Sequence, residues 1–148
     1  MIKLLAPALA LAAVAFAWAP ARADFSACES AAQSGDPHQK IDLYTSCLKH
    51  GGLASTDVAG AFNNRGVAYE QVGETDKALQ DFIWATQYDP TWPLFRANRA
   101  SLEARKGQCA EALADLKLLL KLGPHRKESL ELQGRVTAAC PIQSKPAS

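Results

Sequence analysis

The four cysteines are the residues of this chain best suited to covalent chemistry. They are Cys28, Cys47, Cys109 and Cys140. No two of them have the C-x-x-C spacing of a thiol–disulfide oxidoreductase, and no βαβ pattern surrounds them. An even number of cysteines favours structural disulfides over free thiols if the chain is exported. Four cysteines allow three pairings, and composition does not choose among them.

The other residues that often do chemistry are not spaced for it. His38, His50 and His125 lie outside any H-E-x-x-H or zinc-finger pattern, so we expect no metal site. No serine stands in a G-x-S-x-G context, and no glycine-rich phosphate loop follows a strand. The carboxylates are scattered over different parts of the pattern, without a nucleophile and base beside them. We therefore predict no catalytic residues, no cofactor and no enzymatic activity.

Residues 1–23 have the form of a secretory signal peptide. Lys3 precedes an apolar run rich in Ala and Leu, and Ala21-Arg22-Ala23 is a small-x-small cleavage site. We predict cleavage after Ala23 and a mature protein that is periplasmic or secreted. Because the apolar run leaves with the signal, we expect no membrane insertion after cleavage.

The charge balance argues against two classes of partner. The chain has 16 basic and 15 acidic residues, and loss of Lys3 and Arg22 leaves 14 basic residues and a net charge of −1. Nucleic-acid binding needs a basic surplus on one face, so we expect no nucleic-acid partner. A near-neutral chain also has no electrostatic reason to bind a membrane surface.

Two stretches of the chain repeat one pattern. Residues 61–90 and 95–124 lie 34 residues apart. Identical residues pair as Gly73 with Gly107, Ala78 with Ala112, Leu79 with Leu113, Asp81 with Asp115, and Pro90 with Pro124. A period of this length, with a turn glycine between two apolar-periodic segments, is typical of stacked helical hairpins.

Apolar spacing predicts seven helices and no strand. The third helix is predicted from about Val58 to Gln71, and Gly73 makes the following turn. The fifth helix is predicted from about Pro93, since proline suits the first turn. Gly107 makes the turn after the fifth helix.

The repeated stretches resemble tetratricopeptide repeats, here of a small exported bacterial type. That family has a small residue at repeat position 8, an aromatic at 11, Gly at 15, Ala at 20, an aromatic at 24, Ala at 27 and Pro at 32. The first stretch matches throughout, with Gly66, Tyr69, Gly73, Ala78, Phe82, Ala85 and Pro90. The second departs from the pattern at Glu103 and Leu119, and its residues are Ala100, Glu103, Gly107, Ala112, Leu116, Leu119 and Pro124.

The resemblance implies an all-α fold of stacked antiparallel hairpins over residues 24–140. It comprises two full repeats, a degenerate N-terminal hairpin and a C-terminal capping helix, with residues 141–148 as a flexible tail. If Gly35 is position 15 of the N-terminal hairpin, Lys40 falls at position 20, where the family has alanine. The register also implies a disulfide pairing. Cys28 and Cys47 fall at positions 8 and 27 of one hairpin, and Cys109 and Cys140 fall at neighbouring ends of two antiparallel helices.

The family register further implies a concave groove lined by the first helix of each hairpin. Asn64 and Asn98 share position 6, where asparagine in peptide-binding members bonds the peptide backbone; an amide can donate and accept at once. The lysines of a carboxylate clamp, expected at positions 2 and 5, are replaced by Gly60, Asn63, Leu94 and Ala97. The predicted peptide-binding residues are Asn63, Asn64, Val67, Glu70, Gln71, Asn98, Ser101 and Arg105.

The resemblance implies a protein-interaction module that holds an extended peptide or a helix of another envelope protein. Two alternatives stay open. The short array could complete its superhelix by self-association, as a homo-oligomer joined through the first hairpin or the seventh helix. A thiol-redox enzyme would require an exposed, reactive cysteine. Neither the identity of the partner nor the pathway follows from the residues.

Overall fold

Seven helices follow one another in a computed structural model, which describes residues 26–50, 52–122 and 127–141. The helices are α1 Ser26–Gln33, α2 Pro37–His50, α3 Ser55–Gln71, α4 Thr75–Tyr88, α5 Pro93–Arg105, α6 Cys109–Leu122 and α7 Lys127–Ala139. No strand occurs among these residues. The predicted signal peptide, residues 142–148 of the predicted tail, and His125 lie outside the described residues.

Each helix packs against the next one in the chain, and α5 also contacts α7. The helices therefore pair as antiparallel hairpins, α1 with α2, α3 with α4 and α5 with α6, and α7 covers the last hairpin. This is the all-α stacked-hairpin fold that the repeat predicted. The helix α3 begins at Ser55, three residues before the predicted start, and its N-cap Ala54 gives no side-chain hydrogen bond.

The turns after α3 and α5 are the same structure built twice. Gly73 and Gly107 have φ angles of 81° and 74°, a left-handed conformation that glycine adopts without steric cost. The N–H of Glu74 donates to the carbonyl of Tyr69, and the N–H of Gln108 donates to that of Glu103, both at 2.9 Å. These bonds satisfy the last carbonyls of each helix in a Schellman motif. The repeated glycines thus fix where each hairpin reverses.

Helices α3 and α4 approach each other closely at Gly66. A Cβ atom built there would lie 2.8 Å from Cε1 of Phe82 and 3.2 Å from the carbonyl oxygen of Ala78. Phe82 and Ala78 are fully buried, so neither can withdraw into solvent. Glycine at this position therefore allows the helix crossing that the aromatic ring fills.

Both ends of the stack carry a disulfide. Cys28 is joined to Cys47 with their Cα atoms 5.2 Å apart, and Cys109 to Cys140 with a Cα separation of 5.4 Å. These are the two pairs that the repeat register implied. All four cysteines of the chain are bonded, so a thiol enzyme would require that one bridge first be reduced.

Gly66→Ala tests the close crossing. The added methyl group overpacks a filled site, and we expect the free energy of unfolding to fall by about 1–3 kcal/mol. Gly60→Ala, on the same helix with no atom within 4 Å of the new Cβ, is the matched control. It should leave stability unchanged or raise it by about 0.5–1 kcal/mol through helix propensity. Urea unfolding measures the free energy of unfolding of both variants. Equal changes for the two variants would contradict the close helix crossing at Gly66.

Candidate functional site

Three asparagine side chains form a hydrogen-bonded chain across neighbouring hairpins. The amide of Asn98 on α5 donates to Oδ1 of Asn63 on α3 at 2.8 Å. Asn63 donates to Oδ1 of Asn64 at 3.2 Å, and Asn64 donates to the hydroxyl of Tyr44 on α2 at 3.2 Å. We call these four residues the amide chain. It links α2, α3 and α5, which belong to three different hairpins.

The members of the amide chain differ in depth. Asn63, predicted to face the groove, is instead buried, with 4 % of its surface exposed. It positions the amides on either side of it. Asn64 is exposed and Asn98 is partly buried. An amide has two donor hydrogens and an oxygen with two lone pairs, so Asn64 and Asn98 retain capacity for a peptide backbone.

The other predicted groove residues lie at the surface, pack beside the core or form an ion pair. Gln71 is exposed, and Val67 packs beside the buried cluster that contains Phe82. Glu70 and Arg105 form an ion pair with each other, which joins the ends of α3 and α5. Arg105 also donates to the Ser101 carbonyl at 3.4 Å.

A polar pocket of about 210 Å³ opens between α2 and α3. We define the polar pocket by its lining residues, Ala32, Lys40, Tyr44, Asn64, Val67, Ala68 and Gln71. Three of them belong to the predicted groove, and Tyr44 and Asn64 belong to the amide chain. A second cleft of about 300 Å³ shares Ala32, Tyr44 and Asn64 with it and extends toward Asp57. The two cavities therefore form one continuous surface along the first two hairpins.

A third cavity is mainly apolar. A cleft of about 360 Å³ lies between α5, α6 and α7. We define the apolar cleft by Trp92, Pro93, Leu94, Ala97, Leu119, Ser129 and Leu132. Leu94 and Ala97 occupy the register positions at which a carboxylate clamp would carry lysines. The predicted groove positions thus include hydrogen-bonding groups at the polar pocket and hydrocarbon at the apolar cleft.

Two Arg–Asp pairs with buried carboxylates join the helices of the second and third hairpins. Arg65 on α3 contacts Asp81 on α4 through two nitrogens, each 2.8 Å from a carboxylate oxygen. Arg99 on α5 contacts Asp115 on α6 in the same way, with both distances 2.7 Å. The hydrogen bond to Asp81 is the main reason that the pKa of Arg65 is raised above its ordinary value. Sequence reasoning missed these pairs, although both members recur 34 residues apart.

Glu103 is a buried carboxyl group at the repeat position where Tyr69 stands in the preceding repeat. Burial raises the pKa of Glu103 to about 7, and the charge of Asp115 adds to this effect. Its Oε2 atom has no hydrogen-bond partner among the described residues, and its other oxygen lies 3.6 Å from Nε of Arg99. Glu103 therefore carries a pH-dependent cost that the first repeat does not have.

Solved structures with a similar fold are tetratricopeptide repeat domains. The domain of Arabidopsis OM64 is 21 % identical, with a TM-score of 0.63 over 76 % of this chain and 90 % of that one. The second domain of human RPAP3, in complex with the HSP70 peptide SGPTIEEVD, is 22 % identical, with a TM-score of 0.67 over 78 % and 95 %. The first domain of Spaghetti (RPAP3), bound to the HSP90 peptide SRMEEVD, is 20 % identical, with a TM-score of 0.62 over 78 % and 89 %.

These likenesses show the fold, which is that of a tetratricopeptide repeat domain. The sequence matches no protein-family profile, and it matches no curated protein. In the described part of the chain, no helix has the length and apolarity needed to cross a bilayer, and no cluster of metal-ligating side chains occurs.

Glu103→Gln tests the buried carboxyl group. At pH 4.5, its ordinary pKa, the folded chain keeps it protonated, and Gln is nearly equivalent. Between pH 4.5 and about 7, the Glu103 carboxyl is ionised in the unfolded chain but still protonated in the folded one. The unsubstituted protein therefore loses stability relative to the variant as the pH rises. Above pH 7 we expect the variant to be more stable by roughly 2–3 kcal/mol.

Urea unfolding of both proteins at several pH values between 4.5 and 8 measures this difference. Glu74→Gln, which removes an exposed carboxylate from the preceding repeat, is the control. A stability difference for Glu103→Gln that does not change with pH would contradict the assignment.

Proposed function

We propose that this protein is an interaction module that binds an extended segment of another protein along the groove. The observation that carries the proposal is the amide chain. It holds Asn64, which lines the polar pocket, and Asn98 on neighbouring hairpins, both with hydrogen-bonding capacity to spare. An extended peptide offers alternating N–H and C=O groups, which side-chain amides match without reading the peptide's own side chains.

The solved structures support the same function. Two of the three similar domains are described in complex with short peptides. The present groove differs in chemistry, since Leu94 and Ala97 supply no charge to a terminal carboxylate. We therefore infer a partner whose binding does not depend on a terminal carboxylate held at these two positions.

The compartment is part of the proposal. Two disulfides fit an oxidising environment, because cytosolic reductants keep thiols reduced. With the signal-like residues 1–23, they support export and a partner in the cell envelope or outside the cell. Four sulfurs in two bridges also support a binding role over a thiol-redox one.

Asn64→Ala tests the groove. The bait is the full mature chain, and the probes are peptides selected on it from a random 12-residue display library. Loss of one neutral hydrogen-bonding group should weaken the selected peptides about 3- to 10-fold, measured by fluorescence polarisation. Gln80→Ala removes an exposed amide on α4, outside the described pockets, and should leave binding unchanged.

Two results would contradict the groove as the binding surface. One is the absence of any enriched peptide. The other is equal binding by the Asn64→Ala variant and the unsubstituted protein.

A second candidate function is self-association through the apolar cleft. Trp92 and Leu94, which line this cleft, expose 55 % and 49 % of their surface. A second copy could cover this hydrocarbon, which a soluble monomer would leave exposed to water.

Sedimentation velocity measures this second candidate directly. We expect a dimer that Leu94→Glu dissociates and that Leu118→Glu, an exposed leucine on α6 outside the cleft, leaves intact. Weak dimers have dissociation constants up to about 1 mM. A protein that stays monomeric up to about that concentration would contradict self-association.

A further inference from the structure

Lys40 stands at a repeat position that the other two hairpins fill with alanine. Ala78 and Ala112 are both fully buried at that position, where the two helices of a hairpin meet. In the first hairpin the position carries a long basic side chain, which lines the polar pocket. The departure from the repeat therefore places a basic residue at the wall of the polar pocket.

The Lys40 ammonium lacks a partner within the described residues. Lys40 is half-buried, whereas Lys49 on the same helix is exposed. None of the ion pairs in the described part of the chain includes it. Asp36, one helical turn earlier, accepts a hydrogen bond from the N–H of His38 at 3.0 Å instead. The Lys40 ammonium therefore has no counter-ion within the described part of the chain, and an anion bound in the polar pocket would supply one.

The groups around Lys40 suit a carboxylate. The Tyr44 hydroxyl accepts its hydrogen bond from Asn64, so its own hydrogen is free to donate. The amides of Asn64 and Gln71 line the same pocket and supply further donors. Val67 contributes hydrocarbon to the same wall, which lowers the local dielectric constant and strengthens a charge-assisted bond.

We propose that the polar pocket binds a carboxylate of the partner segment, with Lys40 as its counter-ion. This inference rests on the proposed peptide-binding function and assigns the chemistry of one subsite. The site differs from the clamp that the register excludes, because Lys40 lies on the second helix of its hairpin. The neighbouring cleft carries the opposite charge, Asp57, so the preference for an acid is confined to the pocket.

The carboxylate could come from an Asp or Glu side chain or from a C-terminus, and two display libraries separate these sources. Both are random 12-residue libraries, one with a free C-terminus and one fused through its C-terminus to the display protein. The baits are the unsubstituted mature chain and its Lys40→Glu, Lys40→Ala and Lys49→Glu variants. Lys49 lies on the same helix, is exposed and does not line the pocket, so its reversal is the matched charge control. Lys40→Ala restores the residue of the other two hairpins and should fold without strain.

Enrichment of Asp or Glu at one position in both libraries supports a side-chain carboxylate, and enrichment only with free C-termini supports a terminal one. In either case, selected peptides should bind the Lys40→Ala variant at least tenfold more weakly, and Lys40→Glu should select Lys or Arg instead. The Lys49→Glu variant should keep the acidic preference.

Peptides that bind without an acidic preference, or that bind the Lys40→Ala variant equally well, would overturn this inference and leave the proposed function standing. The absence of any enriched peptide would overturn both.

Discussion

The paired Arg and Asp side chains inside each complete hairpin set the register of its two helices. Arg65 with Asp81, and Arg99 with Asp115, each form a two-pronged contact from the first helix to the second. The side chains of both aspartates are almost completely buried, and a buried carboxylate without its partner would be costly. A shift of one helix along the other would break both prongs. Gly66 consequently stays opposite Phe82, and the groove residues keep their places.

Much of the fold could be predicted from the residues because the repeat has a steric cause. Gly73 and Gly107 adopt left-handed backbone conformations, and Gly66 lies where a methyl group would clash. Such positions tolerate few residue types, so they stand out in a single sequence. The start of α3 was missed by three residues, since polar residues at a helix end fit either the cap or the first turn.

The site was harder to predict, because a repeat register gives the direction of a side chain and does not give its depth. Asn63 and Asn64 are adjacent and were both assigned to the groove, yet only Asn64 is exposed. The pairing of Glu70 with Arg105 depends on how two hairpins stack, which the spacing within one repeat does not contain. Lys40 was visible as a departure from the pattern, but its pocket required the positions of α2 and α3 together. Asp81 and Asp115 recur 34 residues apart, and so do Arg65 and Arg99. This joint recurrence is the sequence signal that indicates the two ion pairs.

The positions of the two disulfides have a mechanical consequence. Each bridge closes a loop near one end of the fold, from Cys28 to Cys47 and from Cys109 to Cys140. Tension applied to the two termini would pass across the sulfur atoms and bypass most of the first and last helical pairs. Within the fold, the polypeptide between Cys47 and Cys109 would carry the load, and that segment holds α3, α4 and α5. Under load, the extensible part of the molecule is therefore its middle, while both ends keep their shape.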